Sequence, residues 1–213
     1  MTKVVIWGAS GHARVVADIV RLQGLYTVAG FLDNIHPQRK GEDFCGSSVL
    51  GGDEQLEGLP AQGISHILLG FGDCRMRLEK TRLLLSKGFN LPVGVHPRAT
   101  VASDVSLGPG TVVAAGAVVN PGARVGCSVI LNTSSSVDHE CVIGDAAHIS
   151  PGAHLAGQVE VGEAAHIGIG AVVIEGVRIG AGSVIGAGAV VLEDVPEGVI
   201  AFGVPAKVKR SIA

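Results

Sequence analysis

The most polar stretch of residues 95–196, Asn132-Thr133-Ser134-Ser135-Ser136-Val137-Asp138-His139-Glu140, sets one histidine between two acids. A carboxylate beside an imidazole fixes its tautomer and raises its basicity, leaving the far nitrogen free to take a proton near neutral pH. That is the make-up of a general base, and it also suits a solvated polar turn. Neighbours on a straight strand point to opposite faces, so contact between Glu140 and His139 requires a corner of the chain there.

A second concentration lies near the amino terminus, in Gly8-Ala9-Ser10-Gly11-His12, Asp33-Asn34 and Gly72-Asp73. A Gly-rich turn that opens a helix points backbone N–H groups at a phosphate, and an acid at the end of the next strand can take a ribose or base hydrogen bond. The glycine sites of the dinucleotide fingerprint would fall on Gly8, Ser10 and Ala13, so a mononucleotide or nucleotide sugar fits better than NAD. A plain helix-capping turn is the alternative.

The elements that must hold these groups differ in kind. Over residues 1–94 the pattern is that of a small Rossmann-like βαβ domain. Strands are expected at Lys3–Trp7, Thr27–Leu32 and Ile64–Gly70, with helices over His12–Leu22 and about Arg75–Ser86. From Val95 to Pro196 the chain falls into 17 uninterrupted hexads, each with Val, Leu or Ile first and Ala, Val, Thr, Ser or Cys fifth. Such a period predicts a parallel β-helix with three short strands, and so three hexads, per coil; the column would be about 27 Å long at about 4.8 Å per coil. The Gly-rich second and fourth positions are expected to serve turns that need positive φ. Residues 197–213 are a tail whose Lys207, Lys209 and Arg210 either meet the phosphates of a bound ligand or lie solvated.

The period also sorts the histidines. His148, His154 and His166 all take the sixth position of their hexads, so His148 and His166, three hexads apart, stack on one face while His154 lies on the next. That geometry speaks against a three-histidine zinc site, and no metal is expected. Cys45, Cys74, Cys127 and Cys141 lack ligand or redox spacing and are expected to be reduced thiols. Residues 1–94 carry 10 basic against 9 acidic side chains and the remainder 6 against 10, so neither part offers a basic face to nucleic acid. No signal pattern precedes the first strand and no apolar run is long enough to span a membrane, so a cytoplasmic protein is expected.

From GASGHA through FLDN, GFGDCRMR and NTSSSVDHECVIG to GVPAKVKR, the whole chain resembles the bacterial sugar acetyltransferases typified by PglD and NeuD. The resemblance implies a nucleotide-sugar-binding βαβ domain, a left-handed hexapeptide-repeat β-helix, acetyl-CoA as donor and a homotrimer with the coenzyme between neighbouring β-helices. By motif it implies His139 as general base and Glu140 as the acid that supports it. His148, Gly157, Ile169 and Ala187 would face acetyl-CoA, and Ser10, Gly11, His12, Asp33, Asn34 and Gly72 the nucleotide sugar. Asn34 stands where the best-known members have a second acid, and Ala187 where they have glycine. The activity implied is N-acetylation of a nucleotide-linked amino sugar, a UDP-linked 4-amino-4,6-dideoxy hexose above all, in glycan biosynthesis. A GDP-linked acceptor, O-acetylation of a sialic-acid-type sugar and a non-catalytic trimeric scaffold are the alternatives. A serine acetyltransferase would carry a helical amino-terminal domain, unlike this pattern.

Overall fold

The computed structural model describes residues 1–212. Its amino-terminal part runs β1 (Thr2–Trp7), α1 (Gly11–Gln23), β2 (Tyr26–Leu32), β3 (Asp43–Phe44), β4 (Ser47–Gly51), β5 (His66–Leu69) and α2 (Cys74–Ser86). The sheet order is β3-β4-β2-β1-β5, parallel except for the β3–β4 hairpin, so the carboxyl ends of β1, β2 and β5 open on one edge. Gly8 follows β1 at φ 129°, and a Cβ there would stand 2.8 Å from Gly70 O; glycine is what lets the two strand ends approach. Helix α2 starts at Asp73, whose carboxylate accepts from Met76 N at 2.7 Å. Ser10 precedes α1 in extended conformation without a side-chain cap, so the first-turn N–H groups are left to other partners.

The hexads form two-residue strands in register with those one coil on, such as His148 with His166 and Val142 with Glu160. First-position residues such as Val137, Ile143, Ile149 and Ile167 turn inward and fill the core at 0–1% exposure, with the small fifth-position residues Ala147, Ala153 and Ala165 beside them. The three faces have different surroundings. The face of Val112, Ile130, His148 and His166 lies against the amino-terminal domain, with Val112 and Ala114 joining its apolar cluster. The face of Glu160 and Arg178 is charged, those two forming an exposed ion pair at 3.2 Å. The third, with Val118, Ser136, His154, Val172 and Val190, is uncharged and open, Val172 being 40% exposed.

The expectation for the glycines holds at one position and fails at the other. The fourth position of every hexad from Gly110 to Gly188 has positive φ, including non-glycine residues such as Glu140 (58°) and Ala164 (54°). The second-position glycines do not; they are needed because the coils stack there without room for a side chain. A Cβ on Gly162 would stand 2.5 Å from Ala181 N, and one on Gly108 2.4 Å from the carbonyl carbon of Gly126.

The tail is also ordered as far as Ile212. Val199–Gly203 pairs parallel with Val184–Ile185, then turns into antiparallel Ala206–Ser211 and closes the column. Lys207 pairs with Glu193, and Lys209 Nζ lies 5.2 Å from the Phe202 ring centroid.

Two alanine substitutions separate the glycine roles. Gly170 has φ 65° and open space around its would-be Cβ, so Gly170→Ala should cost about 1–2 kcal/mol of left-handed strain. Gly162→Ala forces backbone against backbone and should cost about 3 kcal/mol or more. Equal losses in denaturant unfolding would refute the distinction.

Candidate active site

The corner after Ser136–Val137 bends because Glu140 is left-handed, and this brings its carboxylate back to the preceding residue. His139 Nδ1 lies 3.3 Å from Glu140 Oε2, which also accepts from Gln158 Nε2 at 3.0 Å. Asp138 turns the other way: its Oδ1 accepts from His139 N at 2.7 Å and from Asn120 Nδ2 at 2.8 Å. These bonds hold both acids below the usual carboxylate range, for Asp138 through His139 N first and for Glu140 through Gln158 first. The imidazole lies over Gly157, one coil on; a Cβ there would stand 2.4 Å from its Cε1 and Nε2. The ring is half exposed. With Nδ1 turned to the carboxylate, Nε2 is the nitrogen open to a reacting group.

The other expected residues do not all meet this pair. Ile169, 57% exposed, and Ala187 stack one coil apart on the corner at the far edge of the open face. His148 lies half a coil from His139, on the face turned to the amino-terminal domain. There its ring lies 4.9 Å from that of His166, tilted by 59°, and 6.4 Å from that of His12, between centroids. Its Nε2 is 3.1 Å from Asn132 Nδ2. Amide N–H donates, so Nε2 accepts and the proton sits on Nδ1.

The residues expected for the nucleotide sugar divide into two groups. Ser10, Asp33 and Asn34 line a cleft of about 330 Å³ at the ends of β1 and β2, with Trp7, Ile35, Phe71, Met76 and Lys80. Gly11 opens α1 there with its α-carbon unobstructed. His12 and Gly72 instead turn toward His148 in the seam between domains. Asp33 spends its carboxylate inward, accepting from Ile35 N at 2.9 Å, His36 N at 3.2 Å and Arg39 Nη1 at 3.1 Å. Asn34 is similarly fixed, its Oδ1 accepting from Trp7 Nε1 and its Nδ2 donating to Asp53 Oδ1, both at 2.7 Å.

Sequence reasoning missed Lys80, Met76 and Arg39. The first two share a face of α2 at i, i+4 spacing. Lys80 Nζ stands 5.3 Å from the Trp7 ring centroid, the cation that lines the cleft. Arg39 ties Asp33 to Ala9 O.

Burial governs the seam's charges. It pushes His12 down to about 4, with Arg77 adding to the effect. It pushes His148 down to about 3, helped by His166, Arg77 and His12. His166 is lowered by the same burial and by Arg77. Cys74, His148 and His166 bring donor atoms within 4.8 Å of one another, the donor types of a metal centre. Yet Arg77 Nη2 stands 3.7 Å from the sulfur, placing positive charge where a cation would bind.

The two strongly depressed imidazoles set a pH dependence of folding. The unfolded forms take protons near pH 6.5, whereas folded His12 and His148 resist until about 4 and about 3. Their contribution is therefore complete above pH 6.5 and is lost as pH falls toward those values, by up to about 1.4 kcal/mol per pH unit for each imidazole. Denaturant unfolding across this window should show the decline, and His148→Gln should flatten it. A pH-independent wild type would refute these neutral imidazoles.

Residues 3–84 match the model of the PglD N-terminal domain, and residues 158–193 that of the bacterial transferase hexapeptide, six repeats. A histidine variant of perosamine N-acetyltransferase from Caulobacter crescentus, in complex with CoA and GDP-perosamine, is 43% identical with a TM-score of 0.93, over 98% of this chain and 97% of that one. The acetyltransferase domain of PglB from Neisseria gonorrhoeae, in complex with acetyl coenzyme A, is 39% identical with a TM-score of 0.91, over 98% and 99%. WeeI from Acinetobacter baumannii is 27% identical with a TM-score of 0.86, over 97% and 99%. No helix among the described residues is long and apolar enough to cross a membrane. With this likeness running end to end over both domains, the chain belongs to the family of sugar N-acetyltransferases that join a PglD-type amino-terminal domain to a hexapeptide-repeat β-helix.

Proposed function

We propose that the protein transfers the acetyl group of acetyl-CoA to the amine of a nucleotide-linked 4-amino-4,6-dideoxy sugar, with His139 as general base. The observation that carries this reading is the His139–Glu140 pair, its ring half exposed with Nε2 free, in a chain similar throughout to N-acetyltransferases. The neutral amine attacks the thioester carbonyl as its proton passes to His139 Nε2, and the C–S bond breaks to release CoA. Glu140 holds the Nδ1 proton and stabilises the imidazolium that forms; His139 then returns its proton to the thiolate or to solvent. No covalent enzyme intermediate is required, and backbone N–H groups are the donors for the developing oxyanion.

The cleft is where the nucleotide would bind. Uncapped N–H groups at the start of α1, together with Lys80, suit a diphosphate. The apolar faces of Trp7, Ile35 and Phe71 suit a base. Both UDP and GDP fit this description. The relative with 43% identity holds GDP-perosamine, which favours the guanosine alternative over the uridine form expected from sequence.

Acetyl-CoA would lie along the corner of Ile169 and Ala187, between two copies of the chain. His139 and His148 lie half a coil apart and cannot converge within one chain, and the open face with Val118, Val172 and Val190 offers an apolar surface to a neighbour. A homotrimer, with His139 of one protomer facing His148 of the next, satisfies both observations. A cytoplasmic location suits these two substrates.

Thiol release from acetyl-CoA with UDP- and GDP-linked amino sugars and with a free sialic acid tests the activity and the base together. Turnover should appear with an amino sugar, and His139→Ala should lower kcat about 10²–10⁴-fold while acetyl-CoA still binds. Unchanged turnover by that variant removes His139 from the role; turnover only on the sialic acid shifts the assignment to O-acetylation. Gly157→Ala, whose new methyl occupies the place of the imidazole, should lower kcat without changing nucleotide affinity. A kcat equal to wild type would show that the ring is not needed where it lies.

A further inference from the structure

Helix α2 carries an arginine in its buried stripe. Cys74, Arg77, Thr81 and Leu84 are all buried, and Arg77 is 1% exposed. Its nitrogens are spent on five backbone carbonyls and a sulfur, with no carboxylate among these partners. Nε donates to Ser128 O at 2.8 Å, Nη1 to Gly72 O at 2.9 Å and Phe71 O at 3.3 Å, and Nη2 to Ala146 O at 2.6 Å and Ala147 O at 3.2 Å. Cys74 Sγ lies 3.7 Å from Nη2.

Burying a guanidinium without an ionic partner is costly before its hydrogen bonds are counted. A domain contact alone does not need it, since an apolar side chain such as Leu84 fills its place on the same stripe. The carbonyls it chooses are informative. Phe71 forms part of the nucleotide cleft. Gly72 faces His148, a Cβ there standing 3.7 Å from its Cε1. Ala147 is the residue before His148, and Ala146 and Ser128 belong to the corners beside it.

We infer that Arg77 is a positioning residue that locks the Phe71–Gly72 loop and the backbone of His148 into one unit, fixing the separation between the nucleotide cleft and the His148 imidazole. This rests on the reading that the cleft holds the acceptor's nucleotide. Thr81 reinforces the lock, its Oγ1 lying 2.7 Å from both Arg77 O and Ser128 Oγ. The imidazole so fixed is surrounded by His12 from α1, Cys74 and Arg77 from α2, and His166 and Asn132 from the β-helix. His12 Nε2 is buried without a hydrogen-bond partner in the same seam.

Arg77→Lys keeps the charge, but an ammonium with three donors cannot span carbonyls on both sides of the seam. In the folded full-length variant, calorimetric binding of UDP or GDP and of CoA should match wild type, while kcat falls roughly 10–100-fold from misplacement alone. A second readout needs no turnover. Addition of UDP or GDP should shift the His148 ring resonances in wild type, and Arg77→Lys should abolish the shift. A wild-type kcat in the variant, a raised KM with unchanged kcat, or nucleotide binding that leaves His148 unmoved in wild type would each overturn the inference. Should Arg77→Lys fail to fold, Thr81→Val should give the same pattern at smaller size, and its absence would count equally against it. Wild-type protein inactive on every amino sugar would refute acetyl transfer, while the resonance shift still decides the role of Arg77.

Discussion

Closure of each coil after three hexads is the constraint on which the rest of this molecule depends. Because the coils stack in register, whatever one residue needs is imposed on its equivalents in the coils before and after it. An inward aliphatic at the first position meets its equivalents and makes a continuous core; a side chain in place of Gly108 or Gly162 at the second would meet backbone. From Gly110 to Gly188 the fourth position is left-handed whatever residue occupies it, at about 1–2 kcal/mol for each non-glycine. Glu140 accepts that strain, and its left-handed backbone is what folds its carboxylate back onto His139. The candidate base is thus a local consequence of coil geometry, with Gly157 the gap that the stacked coil must leave for its ring.

The same closure assigns the three faces. Outward residues of one face recur once per coil, so the face bearing Val112, Ile130, His148 and His166 can be covered as a whole by the amino-terminal domain. Covering it buries His148 and His166 beside Arg77 and lowers both. Neutral imidazoles there bind through hydrogen bonds rather than charge. Positive charge in the seam resides on the guanidinium, whose desolvation is offset by carbonyl dipoles drawn from both domains.

Much of this was legible in the sequence, and the exceptions have physical causes. The hexads and the βαβ pattern rest on periodicity, and periodicity survives tertiary context; β1, β2, β5, α1 and α2 all lie within a few residues of expectation. The β3–β4 hairpin was not legible because β3 has two residues and β4 pairs on one side through a register shift. For the second-position glycines, sequence reports that glycine is required without reporting whether φ or space requires it. The nucleotide-site residues divided for a similar reason. Ser10 is extended and lines the cleft, whereas His12 lies in the first turn of α1 and enters the seam. Arg77 did leave a signal, a charge in the register of Cys74, Thr81 and Leu84. Its meaning needed the carbonyls of Ala146 and Ala147, which are remote in sequence.

In the trimer proposed above, the half exposure of His139 in one chain would make a single chain an incomplete catalyst. Water around His139 and Glu140 screens their attraction and competes for the proton. Exclusion of water by a substrate and a neighbouring surface would strengthen every interaction of the pair. The open face supplies an uncharged surface of the right kind, flanked by the His139 corner on one edge and the Ile169–Ala187 corner on the other. Two corners at opposite edges of one face cannot act on the same thioester within a chain; the proposed trimer would bring them together where that face meets a second copy. Under that proposal assembly and catalysis would draw on the same residues: Val172 and Val190 would exclude the solvent that weakens His139, and the spacing of the coils would set the register in which the neighbour's corner arrives.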